Sequence, residues 1–414
     1  MTSLQPVRGT HDLLPEEARR ARHVVETGRE MAQRYGFEEA ATPIFEFSEV
    51  FARTLGETSD IVTKEMYTFV DKGGEQITLR PEGTAGFARA LISGGLSQHL
   101  PLKFFYAGPM FRYERPQKGR LRQFHQIGVE LLGVAEPVGD VEVIALGAAI
   151  LDALGVTRSI TLELNTLGNT ESRGAYRERL VEYFGDHRDD LSDDSRDRLE
   201  RNPLRILDSK DQGDRRLVEN APEFDDSLDA ESRDFFGAVC DGLDALGITW
   251  QRNSRLVRGL DYYCHTAFEF TTDALGAQSA VLAGGRYDGL VEQMGGPSTP
   301  GVGWASGIER LSMLIGEGPA PLRPIAMVPM GDEAEAVCLK LTDEFRRAGL
   351  RIDLGYRGRM KQRMKRANAV NARAAVILGD DELAQQSATV RDLDTGEQEL
   401  VALADLKARL EQFQ

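Results

Sequence analysis

Residues 104–132, FFYAGPMFRYERPQKGRLRQFHQIGVELL, constrain the fold more than any other stretch. Two runs of strand-forming residues flank a loop carrying Arg115, Lys118, Arg120 and Arg122, the pattern of a long β-hairpin with a cationic tip. With a side-chain period of two, Arg112 and Glu114 share one face of the outgoing strand, and Phe124, Gln126, Gly128 and Glu130 share one face of the return. A sheet face that mixes arginine, glutamine, glutamate and phenylalanine costs desolvation without building a core. A ligand with phosphate, amine and a flat ring would account for it. A solvated hairpin with ordinary surface charge is the alternative that this stretch alone leaves open.

A chain of 414 residues exceeds what one hydrophobic core serves, so two or three domains are expected. No window approaches the roughly 18 unbroken apolar residues of a membrane span, and the start MTSLQPVRGTHDLLPEE lacks a charged-then-apolar leader. A cytoplasmic location without a membrane partner is the expectation. Cys240, Cys264 and Cys338 lie far apart with no zinc-binding spacing, so reduced thiols and no structural metal are expected. The net charge of −16 argues against a protein that coats nucleic acid indiscriminately, because such binding runs on phosphate neutralisation by lysine and arginine. Charge is segregated, however: DHRDDLSDDSRDRLE is acidic, whereas residues 112–122 and 357–366 are basic, which permits a local nucleic-acid site.

In chain order, Pro15 followed by Glu16 and Glu17 opens a helix that Gly36 stops, and GFEEAATPIFEF reads as a strand containing Pro43. Residues 67–70 and 76–79 are strands about a DKGGE turn, and the second runs through Glu82, Gly83 and Thr84 into a helix. Glu82 is either a site residue or a first-turn carboxylate on a helix dipole. From about 170 to 246 the chain reads as a helical insertion with acidic loops and no residue of evident chemistry. Strands return at 248–251, in RLVRGLDYYCHTAFEF and from 279, where Gly284 and Gly285 would let backbone approach a ligand beside Arg286. Arg310 stands at the start of the helix in GVGWASGIERLSMLI, where a cation is disfavoured unless something negative or aromatic lies over it. GEGPAPLRP, residues 316–324, is a linker, and beyond it strands and helices alternate as a small α/β domain. That domain carries Arg357, Arg359, Lys361, Arg363, Lys365 and Arg366 without an intervening acid, either a phosphate-binding face or solvated helix charge.

Arg112, Arg258 and Arg310 thus come from three segments that each leave an arginine poorly explained, and together they suit a nucleoside triphosphate. No GxxxxGK[ST] loop or kinase signature is present, so side-chain forks would hold the phosphates. Phe111-Arg112-Tyr113-Glu114 resembles motif 2 of class II aminoacyl-tRNA synthetases, Pro43 falls in a segment similar to motif 1, and Gly307-Ile308-Glu309-Arg310 resembles motif 3. LVRGLDYY and AGGRYDGL resemble the two signatures of the histidyl-tRNA synthetase family, and RGTHDLLP and the C-terminal domain extend the likeness over nearly the whole chain.

The resemblance implies an α+β catalytic domain over residues 1–320, built on an antiparallel sheet of the class II synthetase kind. It also implies a helical insertion at 170–246 and a C-terminal α/β anticodon-binding domain at 321–414. The implied activity is ligation of L-histidine to its cognate tRNA in two steps, with ATP and accompanying Mg2+, in a homodimer. Carried over residue by residue, the α-amino group would meet Glu82, Thr84 and Gln126, and the imidazole would lie between Glu130 and the Tyr263 hydroxyl, with Gly83 and Tyr262 alongside. Neutral imidazole has one donor and one acceptor nitrogen, so a carboxylate and a phenol together satisfy both. Phe124 would stack on adenine, Arg112 would hold the α-phosphate, and Arg120 and Arg310 the distal phosphates. Arg258, with Arg112, would stabilise charge at the α-phosphorus. Arg115, Lys118 and Arg122 would lie near the acceptor end of the tRNA, and Arg357, Arg359 and Lys361 near the anticodon. His125 alternates away from Gln126 and reads as a packed or hydrogen-bonded histidine, and Cys264 and His265 receive no chemistry. The rival reading is a synthetase-like regulatory subunit of histidine biosynthesis that does not charge tRNA, followed by a noncatalytic nucleic-acid-binding module.

Overall fold

In the computed structural model, which describes residues 4–55, 61–117, 119–207, 209–257, 262–276 and 280–413, the first helix is α1 (Pro15–Arg34). Pro15 occupies its first turn, where a missing N–H costs nothing, and Val24, Gly28 and Ala32 form its buried stripe. Then come β1 (Glu38–Glu39), β2 (Phe45–Phe47), α2 (Ser48–Leu55), the hairpin β3 (Tyr67–Val70) and β4 (Gln76–Leu79), and α3 (Thr84–Ser93). The long hairpin is β5 (Leu102–Phe111) and β6 (Gln123–Leu132), followed by α4 (Pro137–Ala153) and β7 (Thr161–Thr166). Four helices make the insertion: α5 (Thr170–Asp186), α6 (Asp193–Arg201), α7 (Gln212–Val218) and α8 (Ala230–Ala245). The sheet resumes with β8 (Gln251–Arg252), β9 (Cys264–Thr271) and β10 (Ala280–Arg286), and after α9 (Leu290–Gln293) it ends with β11 (Gly301–Gly307), which runs straight into α10 (Ile308–Ile315).

Among the described residues the large sheet has eight strands in the order β1-β5-β6-β11-β10-β9-β7-β8, antiparallel except at its two edges. Its two faces differ in chemistry. Phe105, Ile127, Val129, Phe268 and Trp304 pack with α1 and α4 into one core. Helix α4 is mostly apolar, with Val143, Ile144, Leu146 and Ile150 buried, as befits a helix enclosed between the sheet and its helical neighbours α1 and α8. Each fully buried leucine, isoleucine or phenylalanine there contributes about 1.5–3 kcal/mol. That burial lets the opposite face carry Gln126, Gly128 and Glu130, which pair in register with Gly307, Ala305 and Gly303 of β11.

Pro43 does not sit inside one strand. It has no N–H to give a ladder, and the segment splits: β1 joins β5 in the large sheet, whereas β2 joins β4 in a three-stranded sheet. The strand expected over 248–251 is reduced to the two residues of β8 at the sheet edge. The insertion has a core of its own, including Tyr176, Leu180, Phe184, Leu199 and Phe224.

Backbone contacts divide the chain into Met1–Pro319 and Ala320–Gln414. The second unit contains β12 (Ile325–Pro329), α11 (Asp332–Arg347), β13 (Ile352–Leu354), α12 (Met360–Ala369), β14 (Ala374–Leu378), α13 (Asp380–Ala384), β15 (Ser387–Asp392), β16 (Gln398–Ala402) and α14 (Leu406–Glu411). Strands β13, β12 and β14 are parallel, as strand–helix alternation predicts. The antiparallel hairpin β15–β16 is an addition that the sequence reading missed. No described helix is long and apolar enough to cross a membrane.

Candidate active site

The polar sheet face and the hairpin tip enclose a cavity of about 470 Å3. One group of its wall residues gathers at the start of α3. Glu82 caps that helix, accepting hydrogen bonds from Thr84 N at 2.7 Å and Ala85 N at 2.8 Å, so the first-turn carboxylate reading holds even though Glu82 also lines the cavity. Thr84 Oγ1 donates to Glu130 Oε1 at 2.7 Å, and the Tyr287 hydroxyl donates to Glu130 Oε2. Glu130 is 0% exposed, and burial pushes its carboxyl up to about 8 against those two hydroxyls, which favour the ionised form. Tyr262 and Tyr263 stand on the wall with ring centroids 4.6 Å apart, and Tyr262 meets the Tyr287 ring edge-on at 5.8 Å. Gln126 also lines the cavity, and its amide oxygen is buried without a hydrogen-bond partner. Such an atom costs free energy until a donor arrives.

Glycines give these side chains their room. A Cβ on Gly303 would run into the Glu130 carboxylate, and one on Gly128 into the Tyr106 ring. The double glycine behaves differently from the expectation that it admits a ligand: a Cβ on Gly284 would strike Trp304 and the backbone of Gly303, and one on Gly285 the Tyr263 ring. Close strand packing, rather than ligand approach, explains the pair. Arg286 is likewise structural, fully buried and paired with Asp140 of α4.

The second group is cationic. The Arg112 guanidinium lies 5.2 Å from the centroid of the Phe124 ring, and its Nε donates to Pro81 O at 2.9 Å. Glu114 lies between Arg112, at 3.8 Å, and Arg120, at 3.2 Å. Arg310 Nε reaches Gly119 O at 3.4 Å, and its Nη1 donates to Ala280 O. Burial and the neighbouring Arg120 bring the Arg310 pKa down. Glu309, also on the wall, accepts from His125 N and Nδ1 at 2.9 Å, so His125 fastens α10 to β6. Arg112 and Arg310 therefore share one cavity with Phe124, whereas Arg258 and Lys118 lie outside the described residues.

The profile described as histidyl-tRNA synthetase matches residues 9–176 and 177–311, and that of an anticodon binding domain matches 325–413. A histidine–tRNA ligase of Rhodospirillum rubrum is 62% identical over the full length of both chains. One from Rickettsia bellii is 46% identical over 95% of each. The apo histidyl-tRNA synthetase of S. aureus superposes with a TM-score of 0.83 at 35% identity, covering 99% of this chain and all of that one. The chain belongs to the histidyl-tRNA synthetase family. These full-length ligase relatives favour the ligase reading over the regulatory subunit.

Set against the residue roles that the histidyl-tRNA synthetase resemblance implies, Glu82, Thr84, Gln126, Tyr262, Tyr263, Arg112, Arg120, Phe124 and Arg310 all line the one cavity. Glu130 departs from its expected place: it lies beneath the wall with both oxygens taken by Thr84 and Tyr287, so a ligand meets Thr84 before it meets the carboxylate. Gly83 is the N-cap of α3, packed against Tyr106. Arg115 is exposed, but Arg122 is built into the hairpin tip, its guanidinium 3.8 Å over the Tyr113 ring. In the C-terminal unit Arg357, Arg359 and Lys361 are exposed. Arg363 is instead buried against Glu335, and Arg366 pairs with Asp353 at 2.8 Å, so two of the six cations serve the fold. The sequence reading missed Tyr287, Glu269 and Lys210. Tyr287 lay within a quoted motif, and Lys210 could have been found as the only lysine in the insertion.

Proposed function

We propose that this cavity activates histidine with ATP and passes it to the 3′ end of tRNA, the histidine–tRNA ligase activity of the family. The observation that carries the reading is the unpartnered acceptor of Gln126 on a wall that also holds Arg112, Arg120 and Arg310. An acceptor waiting for an amine beside a cluster of guanidiniums suits an amino acid and a triphosphate together. Glu82, Thr84 and Gln126 hold the α-amino group, Tyr263 and the buried Glu130 define the imidazole end with Tyr262 and Gly83 behind them, and Phe124 stacks on adenine. Arg112 takes the α-phosphate, and Arg120 and Arg310 the distal phosphates. Attack of the histidine carboxylate on the α-phosphorus concentrates negative charge on nonbridging oxygens, which fixed guanidiniums stabilise more in the transition state than in the ground state. No general base is needed. Mg2+ enters with ATP as part of the substrate, and the wall carboxylates Glu114 and Glu269 are oxygen donors of the kind it takes.

Residues 1–320 are the catalytic domain, with the insertion at 170–246, and residues 321–414 read the anticodon arm through Arg357, Arg359 and Lys361. Arg115, Lys118 and Arg122 lie toward the acceptor end. The protein works in the cytoplasm as a homodimer, for which the exposed apolar residues Phe45, Phe47, Phe69 and Val70 of the small sheet supply an interface. Histidine-dependent ATP–pyrophosphate exchange, without tRNA, tests the central claim. Arg258→Ala is expected to cost about 3 kcal/mol in that reaction, a hundredfold or more, as single oxyanion donors do. Near-normal exchange in that variant would refute the role of Arg258.

A further inference from the structure

Lys210 is the only lysine between residues 170 and 246, a stretch otherwise rich in aspartate and glutamate. It belongs to the helical insertion, yet this exposed residue is among those that line the cavity holding Arg112 and Arg310. Its neighbours in sequence are fixed. Ser209 Oγ donates to Asp214 Oδ2 at 2.6 Å, and Asp214, itself 0% exposed, also gathers Ser192 N, Ser192 Oγ and Ser195 Oγ. On the other side Asp211 caps α7 through the N–H groups of Gly213 and Asp214. The buried carboxylate therefore holds the loop so that Lys210 faces the cavity. Among the described residues Lys210 makes no hydrogen bond or ion pair, in contrast to Arg112 and Arg120, which share Glu114.

We propose that Lys210 binds the phosphate chain of the nucleotide, which makes the helical insertion part of the nucleotide site. The inference rests on the nucleotide reading of this cavity. A compact ammonium with three donors on a flexible stem suits the freely rotating oxygens of a polyphosphate better than the fixed edge of a ring, and a charge-assisted bond of this kind is among the stronger ones. Because the ammonium is carried by a separately packed set of helices, its attraction to the triphosphate draws the insertion toward bound nucleotide. A free lysine facing an otherwise acidic subdomain would instead have paired with a neighbouring carboxylate.

The test uses the full chain. The ATP dependence of histidine-driven pyrophosphate exchange is measured without tRNA, and ATP binding is measured by calorimetry in parallel. Lys210→Ala is expected to raise the KM for ATP about tenfold, with the KM for histidine and the thermal unfolding midpoint unchanged, and Lys210→Arg to recover most of the loss. An unchanged KM for ATP overturns the inference, as does a defect confined to tRNA charging, which would assign Lys210 to the tRNA. A loss that follows a lowered unfolding midpoint and is not recovered by Lys210→Arg also overturns it. Absence of exchange in the unsubstituted chain would sink the proposed function instead. The calorimetric Kd for ATP then still decides Lys210, a tenfold weakening in Lys210→Ala supporting it and equal affinity refuting it.

Discussion

Glu130 on β6 and Asp140 on α4 are both 0% exposed, yet their surroundings differ in kind. Asp140 meets a cation. Arg286 Nε lies 3.0 Å from it and Nη2 binds it as well, while the remaining donors go to Val134 O, Glu136 O and Asp288. Burial works against the Arg286 charge, but Asp140 outweighs it and the guanidinium pKa goes up. Glu130 meets hydroxyls instead, those of Thr84 and Tyr287 with Tyr106 nearby, and burial carries its carboxyl up to about 8. A carboxylate neutralised by its own arginine is part of the scaffold. One buried behind a cavity wall among hydroxyls, with no arginine of its own, fits the proposed role of meeting charge that arrives with a ligand.

The comparison breaks first if the scaffold pair proves dispensable. Arg286→Ala leaves Asp140 buried without a partner and is expected to destabilise the unit by about 3–5 kcal/mol, whereas Asp140→Leu with Arg286→Met should recover most of the loss. Both tryptophans, Trp250 and Trp304, lie in the first unit, so fluorescence-monitored urea unfolding reads that unit alone. The opposite pattern is expected at the other carboxylate. Glu130→Gln keeps the size but replaces one acceptor oxygen by an N–H2 donor and removes the group that a bound histidine would draw into its charged form, so kcat/KM for histidine in pyrophosphate exchange should fall about a hundredfold, roughly 2.7 kcal/mol, with stability unchanged or higher. If Glu130→Gln unfolds the protein while Arg286→Ala does not, the two assignments are reversed.

What the sequence could reveal followed from the range of its signals. The bounds of β3 and β4 were legible because a strand's period and its turn residues are local, and the polar face of β6 followed from alternation alone. The structural role of Arg286 was not legible, because its partner Asp140 lies 146 positions away and local sequence carries no trace of that pairing. Glu82 was legible as two alternatives, and it caps the start of α3 while also lining the cavity. The hairpin β15–β16 was lost because Ser387–Asp392 and Gln398–Ala402 mix polar residues among few apolar ones, and β16 is largely exposed. The family resemblance supplied the candidate site residues, but not that Glu130 would sit under the wall, since depth within a sheet depends on glycines in a neighbouring strand such as Gly303.

Acidity sharpens the comparison further. A carboxyl whose folded pKa is about 8 holds its proton more tightly than in the unfolded chain, whose value lies near 4.5. Its contribution to stability is therefore fully present below the unfolded value and is lost as pH rises through 8. Between those limits the ligand-free protein should lose at most about 1.4 kcal/mol per pH unit relative to Glu130→Gln. Urea unfolding of both proteins at pH 5, 6.5 and 8 measures the difference, and parallel curves would deny Glu130 its raised pKa.

The smallest effect isolates the hydroxyl. Tyr287→Phe removes the donor to Glu130 Oε2 while keeping the ring that meets Tyr262 at 5.8 Å, so packing is preserved and about 1–2 kcal/mol of stability is lost with the hydrogen bond. That donor favours the ionised carboxylate, so its loss drives the Glu130 pKa higher still and the pH-dependent decline should extend upward past the wild-type range. The same change should weaken histidine binding most at the pH where wild-type Glu130 is half ionised and Tyr287→Phe is still protonated. A decline that ends at the same pH in both proteins would mean that the Tyr287 hydroxyl has no part in setting the Glu130 pKa, and that Tyr287 serves only to fill space beneath the cavity.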